Sequence, residues 1–268
     1  MNELVRGKNK IDFKVNGRQF SFDMTFDSDN ACDTDLLSEF QHMGICEPEV
    51  VCAMERIVRN GDTVIDGGAN IGFFTIYLAL LVGPTGKVFA IEPGQNNVWK
   101  LEENIRLNAL KNVEIVRKPL WMNTNKVTLY MRSEGGRNSL WGQEGYGGKV
   151  EMEPCLLGSF PPHRLVKLDV EGAEVAALGG YEEDEYPPFV ISEMNEPALG
   201  HLGFTQDDLR SRLRGPSPFG YNTFLLQQNG NLPMYVPEDT KIVTGRQNTN
   251  ILLSTFDDVA KVWTEVRI

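Results

Sequence analysis

The sequence lacks a strongly basic region, a paired-cysteine motif and an apolar run long enough to cross a bilayer. Its 268 residues include 26 Lys or Arg against 37 Asp or Glu, a net charge of −11, with no run of Lys and Arg. Such an acidic body repels a phosphate backbone, so no nucleic-acid partner is expected. The four cysteines, Cys32, Cys46, Cys52 and Cys155, form no C-x-x-C pair, and the Cys46 to Cys52 spacing fits no zinc module. Four reduced thiols and no metal are the expectation. The longest apolar run, Ile71 to Val82, contains Gly72 and is shorter than the roughly 20 residues a membrane helix needs. Met1 to Lys10 carries charges and no apolar core, unlike a signal peptide. A soluble, cytoplasmic chain with no membrane partner is expected.

Apolar residues are 41% and charged residues 24%, a globular composition. A chain this long can bury roughly 70–75% of its unfolded surface without disulfides. Ile11 to Asp23 reads as a hairpin: Ile11, Phe13 and Val15 alternate, Asn16-Gly17 turns, and Phe20 and Phe22 resume. Asp27 to Asp35 reads as loop or cap. Glu47 to Val58 has helical spacing, with Pro48 in the first turn. From Asn60 the pattern becomes strand (Thr63 to Asp66), helix (Ile71 to Val82), strand (Lys87 to Ile91), helix (Asn96 to Leu110) and strand (Val113 to Val116). That rhythm means βαβ units and a parallel sheet. Val127 to Met131 reads as a strand and Gly135 to Gly148 as a loop. Leu165 to Asp169 is a buried strand, followed by a helix from Glu171 to Leu178, and Pro188 to Ser192 is another strand. Thr205 caps a helix through Leu213. Tyr221 to Gln228 and Leu232 to Val236 flank Asn229-Gly230 as a second hairpin, and Asn250 to Ser254 is a last strand.

The string Asp66-Gly67-Gly68-Ala69-Asn70-Ile71-Gly72 joins a strand to a helix. Glu92 ends the next strand, 20 residues after Gly72, where an acid can accept hydrogen bonds from two ribose hydroxyls. A dinucleotide fingerprint needs glycine where Ala69 stands, and Asp66 is electrostatically wrong beside a pyrophosphate. S-adenosylmethionine carries an ammonium and a sulfonium and no phosphate, which suits an acidic pocket. The residues therefore favour adenosylmethionine over NAD.

Val64 to Gly72, Val88 to Pro93 and Asn104 to Val116 resemble class I methyltransferases. Lys167-Leu168-Asp169-Val170-Glu171-Gly172-Ala173-Glu174, taken with Asp66 to Gly72, is similar to the signature of the FkbM family. The resemblance implies a Rossmann-like sheet of seven mostly parallel strands with helices on both faces. It also implies methyl transfer from S-adenosylmethionine to oxygen of a small molecule, glycan or natural product. It covers Glu47 to Glu193, with Asn250 to Leu252 as the last strand. The expected division is an N-terminal hairpin and cap extension, 1–46, and a methyltransferase domain, 47–268. The chain lacks the family's Thr-Leu-Asp, having Glu153 to Gly158 there. N- or carboxyl-methylation, or a catalytically silent cofactor-binding subunit, stay open, as does oligomeric state.

Alternation places Lys167 and Asp169 on one face of their strand, with Asp169 at the ligand-bearing edge. Asp169, Glu171, Lys167 and Glu193 are the candidate catalytic set, with Asp169 orienting or deprotonating the acceptor hydroxyl. Glu171 is expected to begin the following helix. The candidate cofactor set is Glu47, Asp66, Gly67, Gly68, Ala69, Asn70, Gly72, Glu92 and Asn138, with Glu47 suggested by its placement in the family. Asp169, Glu193 and Asn195 could offer oxygen ligands to Mg²⁺, but carboxylates at strand ends are common. His42 and His201 could reach the cofactor edge, whereas His163 should lie at the opposite one. Tyr186-Pro187-Pro188-Phe189 lacks the leading Asn or Asp of the base-methylating motif and precedes a strand. Trp121, Trp141 and Tyr146 could stack on an aromatic acceptor, though packing is the commoner role.

Overall fold

The computed structural model describes residues 7–27, 31–132, 138–142, 146–182, 185–213, 220–227, 230–243 and 249–264. Strands β1 (Gly7–Val15) and β2 (Arg18–Phe26) pair antiparallel. Asn16 and Gly17 both adopt positive φ, 46° and 87°, as a two-residue hairpin turn requires. Alternation puts Ile11, Phe13, Val15, Phe20, Phe22, Met24 and Phe26 on one buried face. Helix α1 (Ala31–Met43) follows and takes in the end of the segment Asp27 to Asp35, which was expected to be loop or cap. Leu36, Leu37 and Phe40 pack inward from it and override the turn-forming composition. Then come α2 (Pro48–Ile57), β3 (Thr63–Gly67), α3 (Phe73–Val82), β4 (Lys87–Ile91), α4 (Gln95–Leu107) and β5 (Val113–Val116).

After β6 (Val127–Arg132) the chain forms β7 (Tyr146–Met152), whose first residues were expected to be loop. The two pair as a separate antiparallel ribbon, so Tyr130 and Lys149 face each other despite the glycines between the strands. Strand β8 (Leu165–Leu168) and helix α5 (Glu174–Leu178) precede β9 (Phe189–Met194), α6 (Glu196–His201) and α7 (Gln206–Ser211). Thr205 caps α7 in a reciprocal box with Asp208. The chain ends with β10 (Asn222–Leu225), β11 (Met234–Val236), β12 (Thr249–Ser254) and α8 (Phe256–Thr264). Strands β10 and β11 pair as expected, but Leu225 faces Met234, so the connection is longer than a two-residue turn. Asn229 lies outside the described residues.

The main sheet has eight strands in the order β11-β10-β12-β9-β8-β3-β4-β5. Seven match the expected sheet, and β11 adds an eighth at the edge. Strands β5, β4, β3, β8 and β9 run parallel, and β12, β10 and β11 run antiparallel to their neighbours. Strand β3 therefore stands at the switch point, with β4 on one side and β8 on the other, and ligands bind at the carboxyl ends of such strands. Apolar clusters lie on both faces, with α2, α3 and α8 on one and α5 and α7 on the other. No helix among the described residues is long and apolar enough to cross a membrane.

Helix α3 is apolar all round, which means burial on every side. The sheet covers one side and the hairpin the other: Phe13 and Phe20 lie 5.6 and 4.9 Å from the ring of Tyr77, and Phe22 lies 5.9 Å from Phe73. The open edge of β2 is closed by side chains of α4. Asn108 exchanges two hydrogen bonds with the backbone of Asp23. Asn104 Oδ1 accepts from Thr25 N at 2.8 Å, and its Nδ2 donates to Ile71 O at 2.8 Å. Asn104 thus ties the hairpin to the glycine-rich turn. Replacing it strands a donor and an acceptor, at about 1–3 kcal/mol each where buried. Asn104→Ala is expected to lower Tm by roughly 4–12 °C, more than the half-buried Asn108→Ala, as measured by thermal melting.

Candidate active site

The turn from β3 to α3 forms one wall. Gly68 N and Ala69 N both donate to Ile91 O, at 2.9 and 3.0 Å, which fastens the turn to the end of β4. Gly68 has φ +76°, and a Cβ there would overlap the Asp169 carbonyl, so only glycine fits between β3 and the continuation of β8. Asn70 is also left-handed, φ 49°. Its N–H donates to Glu92 Oε2 at 3.0 Å, and its Oδ1 is buried without a hydrogen-bond partner. Glu92 Oε1 accepts from Gly94 N at 2.8 Å and Asn97 Nδ2 at 3.3 Å. Burial pushes Glu92 up to about 7 against the pull of these three donors. Asn138 sits opposite, its amide against Gly94.

Lys167 is the one buried cation of this site among the described residues. It is 4% exposed, and its Nζ lies 3.3 Å from Asp169 Oδ2 and 3.9 Å from Asp66 Oδ1. The ring of Phe74 lies 4.8 Å away. Burial disfavours the charge, but Asp169, Asp66 and Glu47 together hold its pKa above the usual lysine value. Asp66 accepts from Thr75 Oγ1 at 2.6 Å, and burial raises its pKa. Asp66 is fully buried beneath the turn and does not line the cavity, and neither does Gly67. A Cβ on Gly67 would meet the side chains of Leu168 and Leu120. In this structure Asp66 faces Lys167, and Gly67 faces the core. The other eleven expected residues line one cavity.

Beyond β8 the chain makes a tight turn. Glu171 has φ 54° and Gly172 φ 97°, so the helix begins at Glu174 and not at Glu171 as expected. A Cβ on Gly172 would crowd Ala198 O. Glu174 Oε1 accepts from Val170 N at 2.9 Å and Gly172 N at 3.3 Å, and Trp141 Nε1 donates to Glu171 O at 3.0 Å. These bonds hold the left-handed Glu171 toward the cavity. Burial pushes Glu174 up to about 7. Glu193, next to the end of β9, is pushed up to about 10 by burial and then by Asp169, Glu174, Glu171 and Glu47. Asn195 spends its Oδ1 on Ala198 N, capping α6.

The roof comes from the N-terminal segment. Glu47 is left-handed, φ 41°, and accepts from Asn250 Nδ2 at 3.0 Å. Burial, then Asp169, pushes it up to about 7. Asp35, Leu36 and Glu39 of α1, with Cys46, complete the lining. Sequence reasoning missed them because α1 itself was missed; the apolar Leu36, Leu37 and Phe40 were its available signal. Glu39 Oε2 is buried without a hydrogen-bond partner, and burial raises the Cys46 thiol. No histidine lines the cavity: His163 packs on Tyr181, His42 bonds Ser38, and His201 stacks on Trp141 at 3.7 Å. Tyr186 packs edge-on to Tyr181 and Tyr221, a core role. Among the described residues no three His, Cys, Asp or Glu side chains come together to hold a metal.

The cavity measures about 240 Å³, and among the described residues it is lined by seven acids, Asp35, Glu39, Glu47, Glu92, Asp169, Glu171 and Glu193, against Lys167 alone. A ligand bearing an ammonium and a sulfonium fits this charge, and Asn70 Oδ1 and Glu39 Oε2 are acceptors awaiting donors. A carboxyl pKa raised on folding means the folded state holds more protons, so stability falls as pH rises through that range. For Glu47, Glu92 and Glu174 the window runs from the ordinary 4.5 to about 7. The ligand-free protein is therefore expected to melt several degrees higher at pH 5.5 than at pH 8. A melt that rises with pH would contradict these shifts.

The profile of the methyltransferase FkbM domain matches residues 66–221, more than half of the chain. Methyltransferase sdnD of Sordaria araneosa is 28% identical over 174 residues, covering 50% of this chain and 67% of that protein. A tRNA (cytosine(72)-C(5))-methyltransferase of Pyrococcus horikoshii is 34% identical over 70 residues, 26% of this chain and 18% of its own length. Among solved structures, precorrin-6y C5,15-methyltransferase of Geobacter metallireducens aligns over 77% of this chain and 87% of its own at 12% identity, TM-score 0.45. The signature Asp66 to Gly72 and Lys167 to Glu174 falls inside the matched span, and the chain belongs to the FkbM family of S-adenosylmethionine-dependent methyltransferases.

Proposed function

We propose that the protein methylates a hydroxyl oxygen of a small-molecule or glycan acceptor, with Asp169 as the group that orients and deprotonates it. The observation that carries this reading is one cavity uniting Glu92 at the end of β4, Asp169 just past β8 and Glu193 on β9. Bound adenosylmethionine supplies an electrophilic methyl group on a sulfonium. Glu92, Asn70 and Asn138 are assigned to its nucleoside end, and Glu47 with the Gly68 to Gly72 backbone to its methionine end. The ion pair with Lys167 holds the Asp169 carboxylate in one orientation, which counts because alignment alone can supply several kcal/mol of barrier lowering, on the order of 7–11 at best. Glu193, at about 10, holds a proton at neutral pH and can donate a hydrogen bond to a second acceptor oxygen.

Oxygen is favoured over the alternatives by charge. The lining acids that stay ionised would hold an amine as its ammonium, which has no lone pair to attack with, and would repel a carboxylate acceptor. A neutral hydroxyl meets neither penalty. The same lining and the net charge of −11 argue against RNA.

Two outcomes test the reading. Asp169→Asn is expected to lower kcat at least 100-fold on an alcohol the wild type turns over, with adenosylmethionine binding by calorimetry within about threefold. Loss of both would move Asp169 to the cofactor and sink the role. A cation binds best to ionised carboxylates, and Glu47 and Glu92 titrate near 7 in the ligand-free protein. Affinity for adenosylmethionine should therefore rise between pH 6 and pH 8, more steeply than affinity for S-adenosylhomocysteine, which lacks the sulfonium.

A further inference from the structure

The cavity of about 240 Å³ is below the usual range for small-molecule sites, roughly 300–1,000 Å³. A cofactor held there leaves little of that space for the bulk of an acceptor. A second cavity of about 610 Å³ opens beside it, at the same edge of the sheet. Leu225, the last residue of β10, pairs with Met234, the first of β11. Thr249, the first of β12, pairs with Met194, the last of β9. The side-chain amide of Asn250 links the two linings. Asn250 and Glu49 line the second cavity, and Glu47 lines the first. Asn250 Nδ2 donates to Glu47 Oε2 at 3.0 Å and to Glu49 Oε1 at 3.1 Å.

Away from that amide the lining is mixed: Leu225, Met234, Val236, Ile242 and Val243 supply its apolar part, and Gln227, Thr240, Lys241 and Thr249 its polar part. Scattered exposed apolar residues are ordinary, but a cluster is not. Met234, Tyr235 and Val243 of this lining are three of the ten exposed large apolar side chains among the described residues, and Leu232, a fourth, lies two positions before Met234.

We propose that the second cavity takes the apolar body of the methyl acceptor, an aryl or alkyl group, while the acceptor's hydroxyl passes Asn250 toward Asp169. The substrate class is then an amphipathic alcohol or phenol, or a glycoside with an apolar aglycone, and not a bare sugar. The inference rests on the methyl-transfer reading. Asn250 is the polar sill between the two spaces, able to release Glu49 and donate to an acceptor oxygen.

The test uses N-phenyl-1-naphthylamine, a neutral apolar fluorophore, titrated into the full chain saturated with S-adenosylhomocysteine. The expected result is one site per chain, the same with and without S-adenosylhomocysteine. It should weaken at least tenfold in the double variant Met234→Glu, Val243→Glu. Both positions are exposed, 54% and 88%, so the variant should keep the wild-type melting shift with S-adenosylhomocysteine. Displacement of the fluorophore by S-adenosylhomocysteine, or unchanged affinity in the variant, overturns the assignment. So does an acceptor that turns over while the fluorophore stays bound. If sedimentation shows a wild-type dimer that the variant breaks without loss of fluorophore, the patch is a self-association surface instead. Absence of any melting shift with S-adenosylhomocysteine in the wild type is a separate failure, that of the methyl-transfer reading itself.

Discussion

A single buried ammonium holds the centre of this molecule. Lys167 stands where β3 and β8 run side by side, between an acid below the glycine-rich turn and one at the cavity floor. Removing one partner of a buried charge cluster typically costs about 3–5 kcal/mol, because the remaining charges are left uncompensated. Here the remaining charges would be three carboxylates, with no other cation in the lining among the described residues. The position of Asp169, the burial of Asp66 and the packing of Phe74 all follow from satisfying that one group.

The N-terminal segment completes the site from outside the sheet. The hairpin covers the outer face of α3, and α1 with Glu47 roofs the cavity that the turn before α3 helps to wall. Two asparagines four positions apart, one in α4 and one capping it, replace the strand neighbour that β2 lacks. The acids on the roof and the acids at the strand ends then face each other across a small space, and their mutual repulsion adds to what burial already does to Glu47 and Glu193.

The central strands were legible because short, continuous apolar runs punctuated by glycine have few other interpretations. Lys167 to Glu174 was legible as a signature because alternation assigns faces without reference to partners. What was not legible depended on contacts remote in sequence. Helix α1 is stabilised by apolar residues that meet a helix more than thirty positions later. Glu171 leaves the helix because Glu174 bonds the turn's backbone instead of pointing to solvent. The place of Asp66 beside the glycines is seen in sequence, whereas the lysine it faces lies a hundred residues away.

Three non-glycine residues with left-handed backbones, Glu47, Asn70 and Glu171, line the same cavity. Such conformations cost roughly 1–3 kcal/mol each and persist only where neighbours over-determine them. Their side chains are thus retained against the preference of their own backbone. A laboratory selection for heat resistance alone would reach these positions early, since glycine there relieves the strain. Each such gain would delete a side chain from the cavity wall, so in this protein robustness and reactivity are set in opposition at three identifiable codons.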